Sequence, residues 1–244
     1  MKQVLNMSRN SKKIWAVVPA AGTGSRIGGE IPKQYLDLNG KKLIEHTLDR
    51  LATHPRIAGV IVAISGQDQY WRSVKLPDKA TVIDVKGGME RHHSVLNALT
   101  RLSEMIQGDD WVLVHDAARP CIRREDISRL IDMVMDHPVG GILGVPAADT
   151  MKRVDEHYGI VDTVKRSGLW HAQTPQMFRL DQLMAAIGHA MDINAPITDE
   201  AGAIELQGLS PLMVEGHRDN IKITESQDLV YAAIYLEQQA KVTS

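Results

Sequence analysis

Residues 14–26 read IWAVVPAAGTGSR. The first seven are apolar with β-branched members, and Gly22 and Gly24 end the run. That is the pattern of a strand covered on both faces that passes straight into a glycine turn. Similar short apolar runs occur at Gly59 to Ile64, Thr81 to Val85, Trp111 to His115 and Gly141 to Val145. Helical spacing separates them, with apolar positions at Leu43, Ile44, Leu48 and Leu51, then Val95, Leu96, Leu99 and Leu102, then Ile127, Leu130, Ile131 and Val134. Alternating strand and helix predicts an α/β fold: a mostly parallel sheet flanked by helices, with ligands outside the carboxyl ends of its strands.

Beyond Pro146 the rhythm changes. Thr150 to Val154 and Ile160 to Val164 flank a turn-like stretch, 155–159, and predict a β-hairpin inserted in the α/β pattern, packing on something else such as a second copy of the chain. Helices are expected over Leu180 to Met191, Glu200 to Leu206 and Leu229 to Leu236, and a strand pair from Leu212 to Glu215 and Ile221 to Ile223. The organisation expected is a frayed tail over residues 1–13 and one domain over 14–244.

Composition narrows the function classes. The chain has 244 residues, 43% hydrophobic and 24% charged, with 28 Lys and Arg against 30 Asp and Glu. A formal charge of -2 gives no global attraction for nucleic acid, so none is expected as a partner. No apolar run is long enough to span a membrane, and the basic first residues lack the apolar segment of a secretory signal. A lone cysteine, Cys121, builds neither an internal disulfide nor a thiolate metal site, which favours a reducing cytoplasm. It is assigned to packing, with Trp15 and the methionines.

Three places carry chemistry. The first is 19–26, PAAGTGSR, followed by Pro32-Lys33-Gln34. Successive N–H groups of a glycine turn form a concavity for phosphate oxygens, and Arg26 and Lys33 add charge. Neither a P-loop nor the dinucleotide fingerprint is present, because the glycines at 22, 24 and 28 have the wrong spacing. The competing reading is a tight turn with two solvated cations. The second place is Gly87-Gly88-Met89-Glu90-Arg91-His92-His93-Ser94, where Ser94 either caps a helix or faces a ligand. The adjacent histidines lack metal-ligand spacing and are read as surface residues. The third is His115-Asp116-Ala117-Ala118-Arg119, whose acid and guanidinium either form a mutual ion pair or hold a metal, ribose or phosphate. Thr198-Asp199-Glu200 reads as an ordinary helix start. Together the three places suit phosphorylated ligands.

Eight stretches in order, PAAGTGSR, PKQY, GGxxRxxSV, VLVHDAARP, DTMKR, LWHAQTPQ, TDEA and EGxxDNIKIT, cover the chain from about Ile14 to Glu237. They resemble the 2-C-methyl-D-erythritol 4-phosphate cytidylyltransferases, which implies that the mostly parallel sheet is a nucleotide-binding, Rossmann-like one. The resemblance implies a Mg2+-dependent transfer of a cytidylyl group from CTP to the polyol phosphate, and a cytoplasmic homodimer whose protruding arm, here about 149–166, reaches into the partner's site. It implies that Arg26 and Lys33 are catalytic and contact the CTP phosphates. Pro19, Ala20, Ala21, Gly22 and Gly24 would line the nucleotide, and Gly88, Met89, Arg91 and Ser94 its base. Asp116 and Ala117 match the ribose and Mg2+ neighbourhood. Arg119, Thr174, Asp219 and Lys222 match the polyol phosphate side, while Thr150 and Arg166 match residues donated by the other subunit. Met89 replaces an Asp found in some members; because base contact there is largely main chain, the change is expected to be tolerated. The alternatives are a cytidylyltransferase for another polyol phosphate, especially ribitol 5-phosphate, and a non-catalytic nucleotide-binding regulator. A nicotinamide dehydrogenase fits less well, since its glycine spacing fails.

Overall fold

The computed structural model describes residues 13–22 and 31–242. In chain order its elements are β1 (Ile14–Pro19), β2 (Asp37–Leu38), β3 (Lys41–Lys42), α1 (Leu43–Ala52), β4 (Gly59–Ile64), β5 (Val82–Lys86), α2 (Arg91–Ser103), β6 (Trp111–Val114), α3 (Arg124–Val134), β7 (Gly140–Pro146), β8 (Met151–Val154), β9 (Ile160–Val164), β10 (Trp170–Arg179), α4 (Leu180–Asp192), α5 (Glu200–Glu205), β11 (Leu212–Glu215) and α6 (Ser226–Val242). Seven strands form one sheet in the order β11-β7-β10-β6-β1-β4-β5. All of its pairs are parallel except the two that β10 makes, with β6 and β7.

Strand β1 shows why the sheet is covered on both faces. Ile14, Ala16 and Val18 join a core with Ile44, Leu48, Ile127 and Leu130 from α1 and α3. Trp15 and Val17 point the other way, into a core with Val95, Leu99, Leu183 and Ile187 from α2 and α4. Alternate residues of one strand thus feed two apolar layers, which explains a run without polar positions. Gly59 of β4 is required by this packing: a Cβ there would sit 2.5 Å from the Trp15 ring.

One expected strand is absent and one strand is unexpected. Residues 221–223 form no strand with β11. β11 instead extends the main sheet beside β7, and the Ile223 N–H bonds to the Ala118 carbonyl at 2.8 Å, so that segment crosses the strand ends as a loop. The strand β10 has no counterpart in the sequence reading, because polar Gln173, Thr174 and Gln176 and a proline interrupt its apolar pattern. Its register against β7 shifts between Ala172 and Gln176. The methionines also divide: Met177 is buried, whereas Met89 and Met133 are exposed.

The hairpin β8–β9 pairs antiparallel and forms its own two-stranded sheet. Val154, Tyr158, Ile160 and Val161 on it are all more than two-fifths exposed, at 48, 87, 66 and 62%.

Candidate functional site

Parallel strands release their chains at one edge of the sheet, and the turns there converge. After β1 the chain passes Ala20 and Gly22, whose carbonyls accept from Gln34 Nε2 at 2.8 and 3.0 Å. Gln34 sits in a single 3-10 turn, Lys33–Tyr35, so the turn that holds Ala20 and Gly22 also carries Lys33. Lys33 Nζ donates to the Ile223 carbonyl at 2.8 Å, linking the bend to the segment carrying Lys222.

The second glycine turn follows β5. The Gly88 N–H donates to Ser94 Oγ at 3.0 Å, and Ser94 Oγ lies 3.3 Å from the Glu90 carbonyl, to which it donates. Ser94 therefore does not occupy the helix cap. It stands in the first turn of α2 and pins the glycine turn from behind. A Cβ on Gly87 would lie 2.4 Å from that of Ala21 and push this turn away from the end of β1, and one on Gly88 would lie 2.2 Å from that of His93 and push the turn off its own helix.

Between the turns lies a cavity of about 250 Å³. Its walls include Pro19 to Gly22, Lys33, Gly88, Met89, Arg91, Ser94, Asp116, Ala117 and Lys222. A second space of about 200 Å³ is lined by Arg119, Gln173, Thr174 and Asp199, and shares Arg91, Asp116 and Lys222 with the first. Those three side chains form the partition. Arg91 Nε is 2.9 Å from Asp116 Oδ1, and Lys222 Nζ is 2.8 Å from Asp116 Oδ2. Arg119 Nε approaches Asp116 Oδ2 at 3.8 Å, so the mutual ion pair is present but loose.

Burial opposes the Asp116 carboxylate's charge, but Arg91, Lys222 and Arg119 outweigh it and hold the group well below the usual carboxylate range. Burial likewise opposes the charge on Arg91, and Glu200 followed by Asp116 raises its pKa above that of ordinary arginine. Arg119 is lowered by burial, only partly offset by Asp116. Its Nη1 donates to the Asn220 carbonyl at 2.7 Å, whereas its buried Nε has no hydrogen-bond partner among the described residues.

Behind Asp116 runs a chain of hydrogen bonds whose direction is fixed by elementary rules. The Arg119 carbonyl can only accept, so His115 Nε2, 3.0 Å away, carries the proton. His115 Nδ1 then accepts from Thr174 Oγ1 at 2.9 Å, and that oxygen accepts the Asp116 N–H at 3.1 Å. Burial pushes His115 down to about 4, which keeps the ring neutral and this pattern intact near neutral pH. Thr174 reaches Asp116 because the register shift in β10 falls opposite the end of β6, where Gln176 pairs with Val114.

The structure thus gathers Pro19, Ala20, Ala21, Gly22, Lys33, Gly88, Met89, Arg91, Ser94, Asp116, Ala117, Arg119, Thr174 and Lys222 around two adjoining spaces. Arg26 and Gly24 lie outside the described residues. Asp219 lines neither space: its Oδ2 takes Arg123 Nη2 at 2.7 Å and Gln239 Nε2 at 2.9 Å. Thr150 is exposed and Arg166 Nη1 donates to the Ala148 carbonyl, both beside the hairpin and away from either lining. Glu200, which by sequence is an ordinary helix start, is the buried partner of Arg91. Its oxygens lie 2.6 and 3.0 Å from the guanidinium across 109 residues. The only local sign was an acid immediately after the capping Asp199.

Among the described residues no group of three or more His, Cys, Asp or Glu side chains is placed to hold a metal. His92 and His93 pack ring on ring with centroids 4.2 Å apart, His92 Nδ1 lies 3.4 Å from Glu90 Oε2, and His93 Nδ1 accepts the Glu90 N–H at 3.3 Å. Asp116 faces both spaces with its two oxygens engaged by Arg91 and Lys222, so it would offer at most one carboxylate contact to a Mg2+ carried on phosphate oxygens.

Glycine turns at strand ends with cations behind them put this chain among the α/β proteins that bind phosphorylated ligands at the carboxyl edge of a mostly parallel sheet. The sequence profile of the 2-C-methyl-D-erythritol 4-phosphate cytidylyltransferases matches residues 14–238, and the chain belongs to that family. The cytidylyltransferase of that name from Hahella chejuensis is 50% identical over 231 residues, covering 95% of this chain and 96% of the relative. The one from Vibrio vulnificus strain YJ016 is 47% identical, covering 96% of this chain and 98% of its own. The crystal structure of the Francisella tularensis enzyme superposes with a TM-score of 0.80 at 38% identity, over 92% of this chain and all of that one.

Proposed function

We propose that the protein transfers the cytidylyl group of CTP to 2-C-methyl-D-erythritol 4-phosphate, forming 4-diphosphocytidyl-2-C-methyl-D-erythritol and pyrophosphate. The observation that carries this reading is the partition of Arg91, Asp116 and Lys222 shared by two adjoining spaces. One phosphorylated ligand on each side would meet at that wall.

The acceptor needs no general base. A phosphate monoester has a second pKa of about 6, so at neutral pH its oxygens are largely ionised. The obstacle is repulsion between this dianion and the triphosphate. Unit charges 4 Å apart interact by about 4 kcal/mol at an effective dielectric of about 20, so a few fixed cations change the barrier greatly. An oxygen of the acceptor phosphate attacks the α-phosphorus in line; the bond from that phosphorus to the bridging oxygen breaks, and pyrophosphate carries away the charge. In this reading Lys33 and Arg26 stabilise the α-phosphoryl centre and the departing oxygens. Arg119 and Lys222 hold the acceptor phosphate, and Arg119 Nε, loosely paired with Asp116 and without a hydrogen bond, is the donor that would meet it. Mg2+ on the triphosphate, with Asp116 as its protein contact, would supply further neutralisation.

The bare apolar side chains of the hairpin support a homodimer in which β8–β9 serves as an arm, with Thr150 and Arg166 entering the partner's site. Mixing Arg26→Ala and Arg166→Ala proteins should then restore part of the activity through hybrid dimers; no recovery after confirmed subunit exchange argues against a shared site. The single buried thiol, Cys121, suits the reducing cytoplasm. The function itself is tested by pyrophosphate release from CTP, Mg2+ and 2-C-methyl-D-erythritol 4-phosphate, with UTP, ATP and ribitol 5-phosphate as controls. Turnover with ribitol 5-phosphate in preference to the methylated substrate would reassign the acceptor, a distinction of only about 1–3 kcal/mol for one methyl group.

A further inference from the structure

Glu200 is 2% exposed and lines neither ligand space. Its two oxygens take Arg91 Nη1 and Nη2, which leaves Nε as the group that reaches Asp116. A guanidinium is a rigid fork that prefers to engage a carboxylate with two parallel bonds. Without Glu200, the natural bidentate partner of Arg91 is Asp116, and that geometry draws the oxygen now on Lys222 toward the arginine.

Glu200 is itself held from the strand that fixes Asp116. Gln176 of β10 donates through Nε2 to Asp199 Oδ2 at 2.8 Å and accepts the Ala201 N–H through Oε1 at 2.8 Å. Asp199 Oδ1 caps the same turn by accepting the Gly202 N–H at 3.0 Å. Two residues earlier on β10, Thr174 accepts the Asp116 N–H. Asp116 is therefore braced twice from one strand, through its backbone by Thr174 and through its side chain by Arg91 and Glu200.

We propose that Glu200 is a positioning residue for the transfer: by occupying both Nη atoms of Arg91 it keeps one Asp116 oxygen on Lys222, at the wall where the two substrates meet. The inference rests on the function proposed above. Because the wall faces both spaces, loss of Glu200 should weaken the use of both substrates together, which a role confined to the stability of α5 would not do.

The test is steady-state pyrophosphate release by wild type, Glu200→Gln and Glu200→Asp, with rates normalised to folded enzyme by circular dichroism. A wild type that releases no pyrophosphate overturns the proposed function, and the inference with it. With an active wild type, Glu200→Gln should lose about fivefold or more in kcat/KM toward CTP and toward the polyol phosphate alike. A smaller loss, or a loss toward one substrate only, overturns the role of Glu200 and leaves the function standing. Glu200→Asp keeps the charge with a shorter reach and should lose less than Glu200→Gln. If Glu200→Gln does not fold, Glu200→Asp decides alone: a loss of about twofold or more toward both substrates supports the role, and anything less overturns it.

Discussion

Lys222 Nζ lies 2.8 Å from Asp116 Oδ2, tying the loop between β11 and α6 to the end of β6. The pair is unequal in burial, since Lys222 is 39% exposed and Asp116 only 9%. That asymmetry separates stability from activity. Asp116→Asn leaves Arg91, Arg119 and Lys222 without their shared anion and should cost about 2–4 kcal/mol of stability as well as activity. Lys222→Met removes a half-exposed cation and should cost no more than about 1 kcal/mol, while turnover falls about a hundredfold. Urea denaturation beside the pyrophosphate assay checks both; equal destabilisation by the two variants contradicts the description of the wall.

Lys33 is held beside the glycine bend by its bond to the Ile223 carbonyl. Lys33→Ala should lower kcat by about two to four orders of magnitude, since a preorganised charge at the reacting phosphoryl group is lost. The fold should persist, because Gln34 still bonds to Ala20 and Gly22. Near-normal turnover in a folded Lys33→Ala protein removes Lys33 from the chemistry.

The Thr174 hydroxyl serves two buried partners, the Asp116 N–H and His115 Nδ1. Thr174→Val keeps the shape but leaves both unsatisfied and should destabilise by about 1–3 kcal/mol, with reduced kcat from a displaced Asp116. Thr174→Ser retains the hydroxyl and should lose less than half as much. Thermal melts of the two variants side by side distinguish the hydroxyl's role from that of the methyl group.

Burial holds His46, His54 and His115 below the ordinary histidine range, His115 down to about 4. The unfolded chain takes up protons on these rings near pH 6.5, before the native state does. Stability from this source is complete above about pH 6.5 and falls as pH drops toward 4; His115 alone would account for a change on the order of 3 kcal/mol. Denaturation midpoints at pH 7.5, 6, 5 and 4.5 should decline in that order, and proton uptake should accompany unfolding across the range. A midpoint unchanged from pH 7.5 to 5 is incompatible with neutral buried histidines.

Cys121 is fully buried, and burial pushes its thiol up to about 12. A disulfide reagent at pH 8 should leave it unmodified in the native protein and react promptly once urea unfolds the chain.

The amino-acid sequence by itself determined the strands β1, β4, β5, β6 and β7 and the glycine turn after β5. β1 and β4 are continuous apolar runs because both their faces are covered, and a glycine turn leaves a direct mark in composition. The hairpin was legible for the same local reason, as two short strands around a turn. What only the tertiary structure decided was pairing across distance. β10 lies inside the sheet, yet Gln173, Thr174 and Gln176 make it look polar, since their side chains satisfy groups in the turn after β6, at the start of α5 and in the loop before α6. Glu200 carried no signal beyond a helix start, because its partner Arg91 is 109 residues away. Asp219, placed on the polyol phosphate side by the resemblance, bonds to Arg123 and Gln239, contacts that no local pattern announces. Periodicity and turn chemistry act over a few residues and are written in order along the chain. The choice among buried charges is made by which opposite charges the folded chain brings within about 3 Å, and no local pattern encodes that choice.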